Sequence, residues 1–319
     1  IIRLTFLLIL PMEKLASLFV ITAAALWGFD GIVLRPALYT LPVSLVVFVE
    51  SALVIILWLP LFVWKRNELA QLDTRDWTAF FFVGLLGGAL GTMAITKALF
   101  YVHFVNLSVV VLIQKTQPLF AIFFATLFLK ERPGKLFYLW ASIAIIGSYL
   151  IVFGMQTPNL ATGDKTPVAA LFAMVAAMSF AASTVISKRA LRKTSFYIGT
   201  YLRFLITTGI MLIIALSQKS LTHITDISFK QWGVFILILF TSGGTAIFMY
   251  YYGLKKISAS VATICELAFP LTAVILEFVI RKNLMSFWQW VGAFILLSAI
   301  YKVSGFKVQR KNGQESIHG

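Results

Sequence analysis

The chain has 319 residues, of which 60% are hydrophobic and 12% charged, and its formal net charge is +15. A soluble globular domain runs about 45–50% apolar and about 25% charged, so a soluble enzyme, a disordered chain and an ordinary DNA-binding domain are excluded. A spanning helix needs about 20 apolar residues, and a mean hydropathy of +0.92 fits an all-α polytopic membrane protein with short connections.

In chain order, the apolar stretch Ile1 to Leu10 is too short to span, and Met12-Glu13-Lys14 reads as a start, with a cleaved signal peptide as the alternative. Ten apolar runs follow: Leu15–Leu34, Val43–Trp64, Trp77–Tyr101, Asn106–Leu129, Leu136–Gly154, Val168–Ser187, Ser195–Leu216, Gln231–Leu254, Ser258–Ile280 and Phe287–Val303. The runs are continuous rather than alternating and too long for barrel strands. Lys and Arg favour one alternating set of loops and tails by 18 to 7, with Lys115 and Arg203 inside spans. That bias places both termini in the cytoplasm. The expected organisation is a cytoplasmic segment 1–14, five spans in 15–154, an external linker 155–167, five spans in 168–303 and a basic cytoplasmic tail 304–319. The basic loops also suit anionic lipid headgroups. Nothing suggests nucleic acid. Cys265 is the single cysteine, so no intrachain disulfide forms.

The halves repeat. Leu18-Phe19 matches Leu171-Phe172, Ala23-Ala24 matches Ala176-Ala177, Ala37-Leu38 matches Ala190-Leu191, and Pro118-Leu119 matches Pro270-Leu271, all at an offset of 152 or 153. Five spans per unit is odd, so the second unit enters the membrane inverted. Secondary transporters built this way bind substrate near the midplane between repeats.

Trp27-Gly28 in span 1, Pro118-Leu119-Phe120 with Phe128-Leu129-Lys130-Glu131-Arg132 after it, and Arg203-Phe204-Leu205 in span 7, in this order within ten duplicated spans, resemble the EamA family of the drug/metabolite transporter superfamily. The resemblance covers about residues 14 to 305. It implies two inverted five-helix repeats, a central cavity with spans 5 and 10 peripheral, and export or exchange of small metabolites, often amino acids, in a bacterial or archaeal plasma membrane. The family usually carries Arg in span 2 where Glu50 stands here, and Glu after span 9 where Asn283 stands.

A charge at the bilayer centre costs about 2.5–3.5 kcal/mol on insertion scales, so each one needs a partner, a wet cavity or a proton. Glu50, Lys115, Arg203 and Glu266 all fall near mid-span. Glu50 and Arg203 are repeat mates, as are Gln114 and Glu266. Together they read as a site for a zwitterion, Lys115 or Arg203 taking a carboxylate and Glu266 or Glu50 an amine; either acid can also carry a coupled proton. Static ion pairs between spans are the competing reading. Asp30 would pair with a cation near the outer face or cap a helix, Glu277 would pair with Arg281 four residues on, and Glu131 would pair with nearby bases or cap span 5. Pro118 and Pro270 each remove a helical hydrogen bond and break spans 4 and 9. Gly88 and Gly243, within the small-residue runs of spans 3 and 8, permit close or sliding helix contact. Trp27, Tyr101, Tyr201 and Tyr250-Tyr251-Tyr252, with Phe269, are candidates for an aromatic cavity wall that grips an ammonium.

His103, His223 and His318 are the only histidines, and no HExxH or Walker motif is present, so neither an intramembrane enzyme nor direct ATP drive is expected. No cofactor or metal is expected, and a monomer is. The function expected is secondary transport of a small zwitterion by alternating access. An organic-cation or drug carrier is the alternative, and a lipid-linked sugar flippase or a channel stands behind it.

Overall fold

The structure is a computed structural model that describes residues 12–101, 108–157, 165–282 and 284–310; within these, the side chains of residues 108, 109, 166, 277, 281, 309 and 310 are not described. The Glu277–Arg281 pair and Asn283 therefore lie outside the described residues, as does His103.

Nine described helices are long and apolar enough to cross a membrane: α1 (Met12–Leu38), α2 (Val43–Gln71), α3 (Thr74–Tyr101), α4 (Val110–Phe128), α5 (Lys135–Phe153), α6 (Pro167–Ala190), α7 (Phe196–Ser217), α8 (Phe229–Lys256) and α9 (Ala259–Ile280). A tenth apolar helix, α10 (Phe287–Val303), is shorter at 17 residues. Their outer faces carry bare apolar side chains; Phe294 is 74% and Ile213 70% exposed. Such faces suit lipid and would aggregate in water.

The largest helix interfaces are α5 with α10, α2 with α7, α1 with α8, α3 with α6, α1 with α9 and α4 with α6. Each joins the first five helices to the last five. Exchanging every helix with its repeat mate turns α1·α8 into α6·α3 and α1·α9 into α6·α4, while α2·α7 and α5·α10 map onto themselves. The packing therefore obeys one two-fold relation, and the repeats interleave along it.

Four spans are interrupted near mid-depth. In α4, regular helix ends at Gln114 and resumes at Gln117, with Pro118 in the new first turn, where its missing N–H costs nothing. In α9, helix ends at Cys265 and resumes at Ala268, just before Pro270. α8 breaks between Phe240 and Gly244, and α3 carries a π-helical stretch over Val83–Leu90. That stretch is where Gly84 and Gly88 let α3 lie against α7: a Cβ on Gly84 would sit 2.6 Å from Ile206 Cγ2, and one on Gly88 2.8 Å from Thr207 Cβ.

The two ends of the bundle are held differently. At the end carrying residues 12 and 310, contacts between repeats include charged groups. Lys193 Nζ donates to Asp73 and Asp76, each at 2.8 Å, Lys307 lies 3.2 Å from Glu13, and the Ser195 N–H donates to Glu68 at 2.7 Å. A two-residue antiparallel pairing of β1 (Glu131–Arg132) with β2 (Gln309–Arg310) lies at the same end. At the opposite end the hydrogen bonds between repeats join neutral groups, Ser44 Oγ to Ser220 Oγ at 2.8 Å and Gln231 Nε2 donating to Thr40 Oγ1 at 3.0 Å, and Lys97 adds a cation–π contact, its Nζ 4.9 Å from the Phe172 ring.

Candidate functional site

The breaks in α4, α8 and α9 surround one cavity of about 460 Å³. Its wall runs from Arg203, Tyr250 and Glu266 at mid-depth to Leu99, Val152 and Gln289 near the end opposite the charged ties. One face is a stripe of α3, Gly88, Thr92, Ile95 and Leu99, the three- and four-residue spacing of a single helix face.

The broken spans put polar side chains where continuous helix would put lipid-like ones. Glu266, at the break in α9, accepts from Gln117 Nε2 of α4 at 2.7 Å and from the Tyr250 hydroxyl of α8, also at 2.7 Å. Tyr250 is in turn 2.8 Å from Thr184 Oγ1 of α6; since Tyr250 gives its hydrogen to the carboxylate, Thr184 must donate. Three helices from both repeats thus meet on one carboxylate, and a fourth, α6, is joined to it through Tyr250. Trp27 Nε1 donates to the Ser242 carbonyl at the break in α8, 3.0 Å away, and its ring lies 5.4 Å from that of Tyr250.

Arg203 reaches across from α7. Its Nη2 donates to the Gly87 carbonyl at 2.9 Å and its Nη1 to the Tyr251 hydroxyl at 3.3 Å. The guanidinium is thereby fixed at the α3–α7 contact, at the edge of the cavity.

A second charged group lies nearer the end opposite the termini. Arg35 donates from both Nε and Nη2 to Asp30 Oδ2, at 3.0 and 2.6 Å, and from Nη1 to Thr96 Oγ1 at 3.2 Å. Its Nη2 also lies 3.3 Å from Glu50 Oε1. All three charged residues line the cavity.

Of the residues singled out from the sequence, Glu50, Arg203, Gln114, Glu266, Trp27, Tyr250, Phe269, Pro270, Gly88 and Gly243 line this cavity. Lys115 and Pro118 line an adjoining pocket of about 60 Å³, where Lys115 Nζ sits 4.1 Å above the Phe269 ring. Tyr101 does not line the cavity. It follows Leu99 by two residues and so leaves the α3 stripe, and its ring lies 5.8 Å from Phe172 of α6. Tyr201 also points elsewhere, stacked 4.0 Å from Phe62, and Tyr252 packs on Phe19 and Phe196. Glu131 corrects another expectation: its carboxylate caps the start of α9, not α5, accepting from Ala259 N, Ser260 N and Ser260 Oγ. Arg35 and Gln117 were not anticipated.

Comparison with known proteins fits this architecture. The model of the EamA-like transporter family matches residues 14–153 and again 167–305. The chain belongs to the EamA-like transporter family. As an EamA-like protein it is an integral multi-pass membrane transporter of small molecules. It is 40% identical over 289 residues to "Riboflavin transporter ImpX" of Fusobacterium nucleatum, covering 90% of this chain and 97% of that protein. It is 26% identical to the uncharacterized transporter YwfM of Bacillus subtilis, over 93% of this chain and 96% of YwfM. A solved crystal structure shares the fold at TM-score 0.63 and 17% identity, over 91% of this chain and 96% of that one.

Proposed function

We propose that this EamA-like transporter carries riboflavin. The observation that carries the reading is the 40% identity to the riboflavin transporter ImpX across 97% of that protein. The cavity chemistry supports it. Riboflavin has a flat, uncharged three-ring head and a polyhydroxyl tail. The cavity offers the rings of Trp27, Phe180, Phe204, Tyr250 and Phe269, and hydrogen-bonding groups on Thr92, Gln114, Gln117, Ser183 and Thr184. Its volume of about 460 Å³ falls within the roughly 300–1,000 Å³ of small-molecule sites. Arg35 and Arg203 already have protein partners, which suits a neutral solute better than one that must bring its own carboxylate.

Transport proceeds by alternating access. The cavity reaches one end of the bundle, the charged ties close the other, and the two-fold packing lets the repeats exchange these roles. The Lys and Arg bias supports a cytoplasmic position for the closed end and both termini, in a bacterial plasma membrane. A small zwitterion, the solute expected from charge alone, is the competing cargo.

The test is counterflow. Proteoliposomes loaded with unlabelled riboflavin should take up labelled riboflavin saturably, and amino acids should not compete. Uptake of labelled amino acids without riboflavin counterflow refutes the proposal.

A further inference from the structure

We propose that the Asp30–Arg35–Glu50 cluster is a coupling site that binds one monovalent cation, H⁺ or Na⁺, in each transport cycle. Two carboxylates share one guanidinium. Asp30 holds the short contacts, 2.6 and 3.0 Å, while Glu50 has only contacts of 3.3 and 3.4 Å to the same Nη2. One arginine neutralises one carboxylate, so the cluster is a single positive charge short. The side chains of Arg35, Asp30 and Glu50 are 10%, 8% and 11% exposed, so bulk water does little to screen the shortfall. Asp30 Oδ1 is buried without a hydrogen-bond donor, Glu50 Oε1 is buried with no hydrogen bond and only the 3.3 Å ion contact to Arg35, and both residues line the cavity wall. These two oxygens are where an incoming cation would be held.

The other groups facing the cluster do not remove the shortfall. Thr96 of α3 is neutral and already accepts from Arg35. Lys97 of α3 points away, its Nζ 4.9 Å from the Phe172 ring. Across the cavity Arg203 is committed to Gly87 and Tyr251, and Glu266 to Gln117 and Tyr250. Because the cavity wall extends to the cluster's end of the bundle, a cation held there would face that side in this state and the other side once the repeats exchange roles. A neutral solute would then cross with one positive charge, which makes its movement respond to an ion gradient.

The consequence for flux rests on the riboflavin reading; the binding test does not. Purified protein is melted at constant ionic strength in NaCl against choline chloride, and across a pH series in choline chloride. Wild type should be stabilised by Na⁺ or by H⁺, and which one responds names the ion. Glu50→Gln and Asp30→Asn each leave a one-to-one pair, so both should abolish the Na⁺ response or flatten the H⁺ response relative to wild type, while Lys230→Gln, in the exposed first turn of α8 at the same end, should leave it as in wild type. In proteoliposomes a gradient of the responding ion should speed riboflavin uptake at least fivefold in wild type and leave the ratio near one in either cluster variant. Wild type indifferent to both ions, or either cluster variant responding as wild type does, overturns the proposal; if one variant fails to fold, the other decides. An intact, variant-sensitive ion response with no riboflavin uptake refutes the riboflavin reading alone.

Discussion

Replacing Glu131 by alanine should loosen the closed end of the bundle. The carboxylate is 1% exposed and accepts three hydrogen bonds, from Ala259 N at 2.9 Å, Ser260 N at 3.0 Å and Ser260 Oγ at 2.6 Å. The two N–H groups are first-turn donors of α9 with no partner inside the helix. Ser258 cannot replace the lost cap, because its hydroxyl already accepts from Val261 N at 3.2 Å. Hydrogen bonds to a charged group are worth about 1.5–3 kcal/mol each and do not add fully, so a loss of about 3–4 kcal/mol is expected. Glu131 follows α4 of the first repeat and α9 belongs to the second. The loss therefore falls on the state in which this end is shut. At about 1.4 kcal/mol per tenfold, 3 kcal/mol moves the balance towards opening by about a hundredfold. Cys265 reports the change: it is the only cysteine, fully buried, and ends the helical segment that Glu131 caps. A membrane-permeant maleimide should label it slowly in wild type and at least tenfold faster in Glu131→Ala, with a lowered melting temperature. Unchanged labelling and melting would show that Glu131 does not hold this end together.

Gly88→Ala would set a methyl group against Thr207, closest to its Oγ1 and 2.8 Å from its Cβ; overpacking of this kind costs about 1–3 kcal/mol, read as a lower melting temperature that Thr207→Ala restores only in part, because it removes Oγ1 and leaves the Cβ. Arg35→Ala strands two buried carboxylates, and breaking a buried pair costs about 3–5 kcal/mol; expression judged by size-exclusion chromatography should fall, and adding Asp30→Asn should recover most of it. Outside the membrane, Lys193 donates to Asp73 and holds its carboxyl down at about 2, against an ordinary value of 3.8. A depressed acid contributes above its unfolded value and loses that contribution as pH falls through the folded one. The melting-temperature difference between wild type and Lys193→Gln should therefore stay level from about pH 5 to pH 8 and shrink as pH approaches 2.

The helical plan was legible because lipid imposes it. Continuous apolar runs set the spans, and prolines at repeat-related positions marked the breaks in α4 and α9. The charged residues of mid-span were legible for the same reason, since Glu50, Arg203 and Glu266 had nowhere else to go. Arg35 was not legible. It stands five residues after Asp30, which in an α-helix places the two about 140° apart. The segment Asp30–Leu34 is instead π-helical, and the Arg35 N–H bonds to the Asp30 carbonyl, so the wider turn brings both to one face. Gln117 was passed over because an uncharged amide raises no alarm in a sequence, although it completes the shell around Glu266. Glu131 shows the limit of local reasoning: an acid before α5 suggests a cap on α5, whereas the helix start it meets is 128 residues away.

Side chains of both repeats converge on one cavity, and we propose that it receives a flavin. Equilibrium binding, followed by the quenching of riboflavin fluorescence on purified protein, tests it most directly. Wild type should bind saturably at one site, and Trp27→Leu and Glu266→Gln should each weaken binding at least tenfold while the protein stays folded. No binding by wild type, or binding that neither substitution alters, would contradict it.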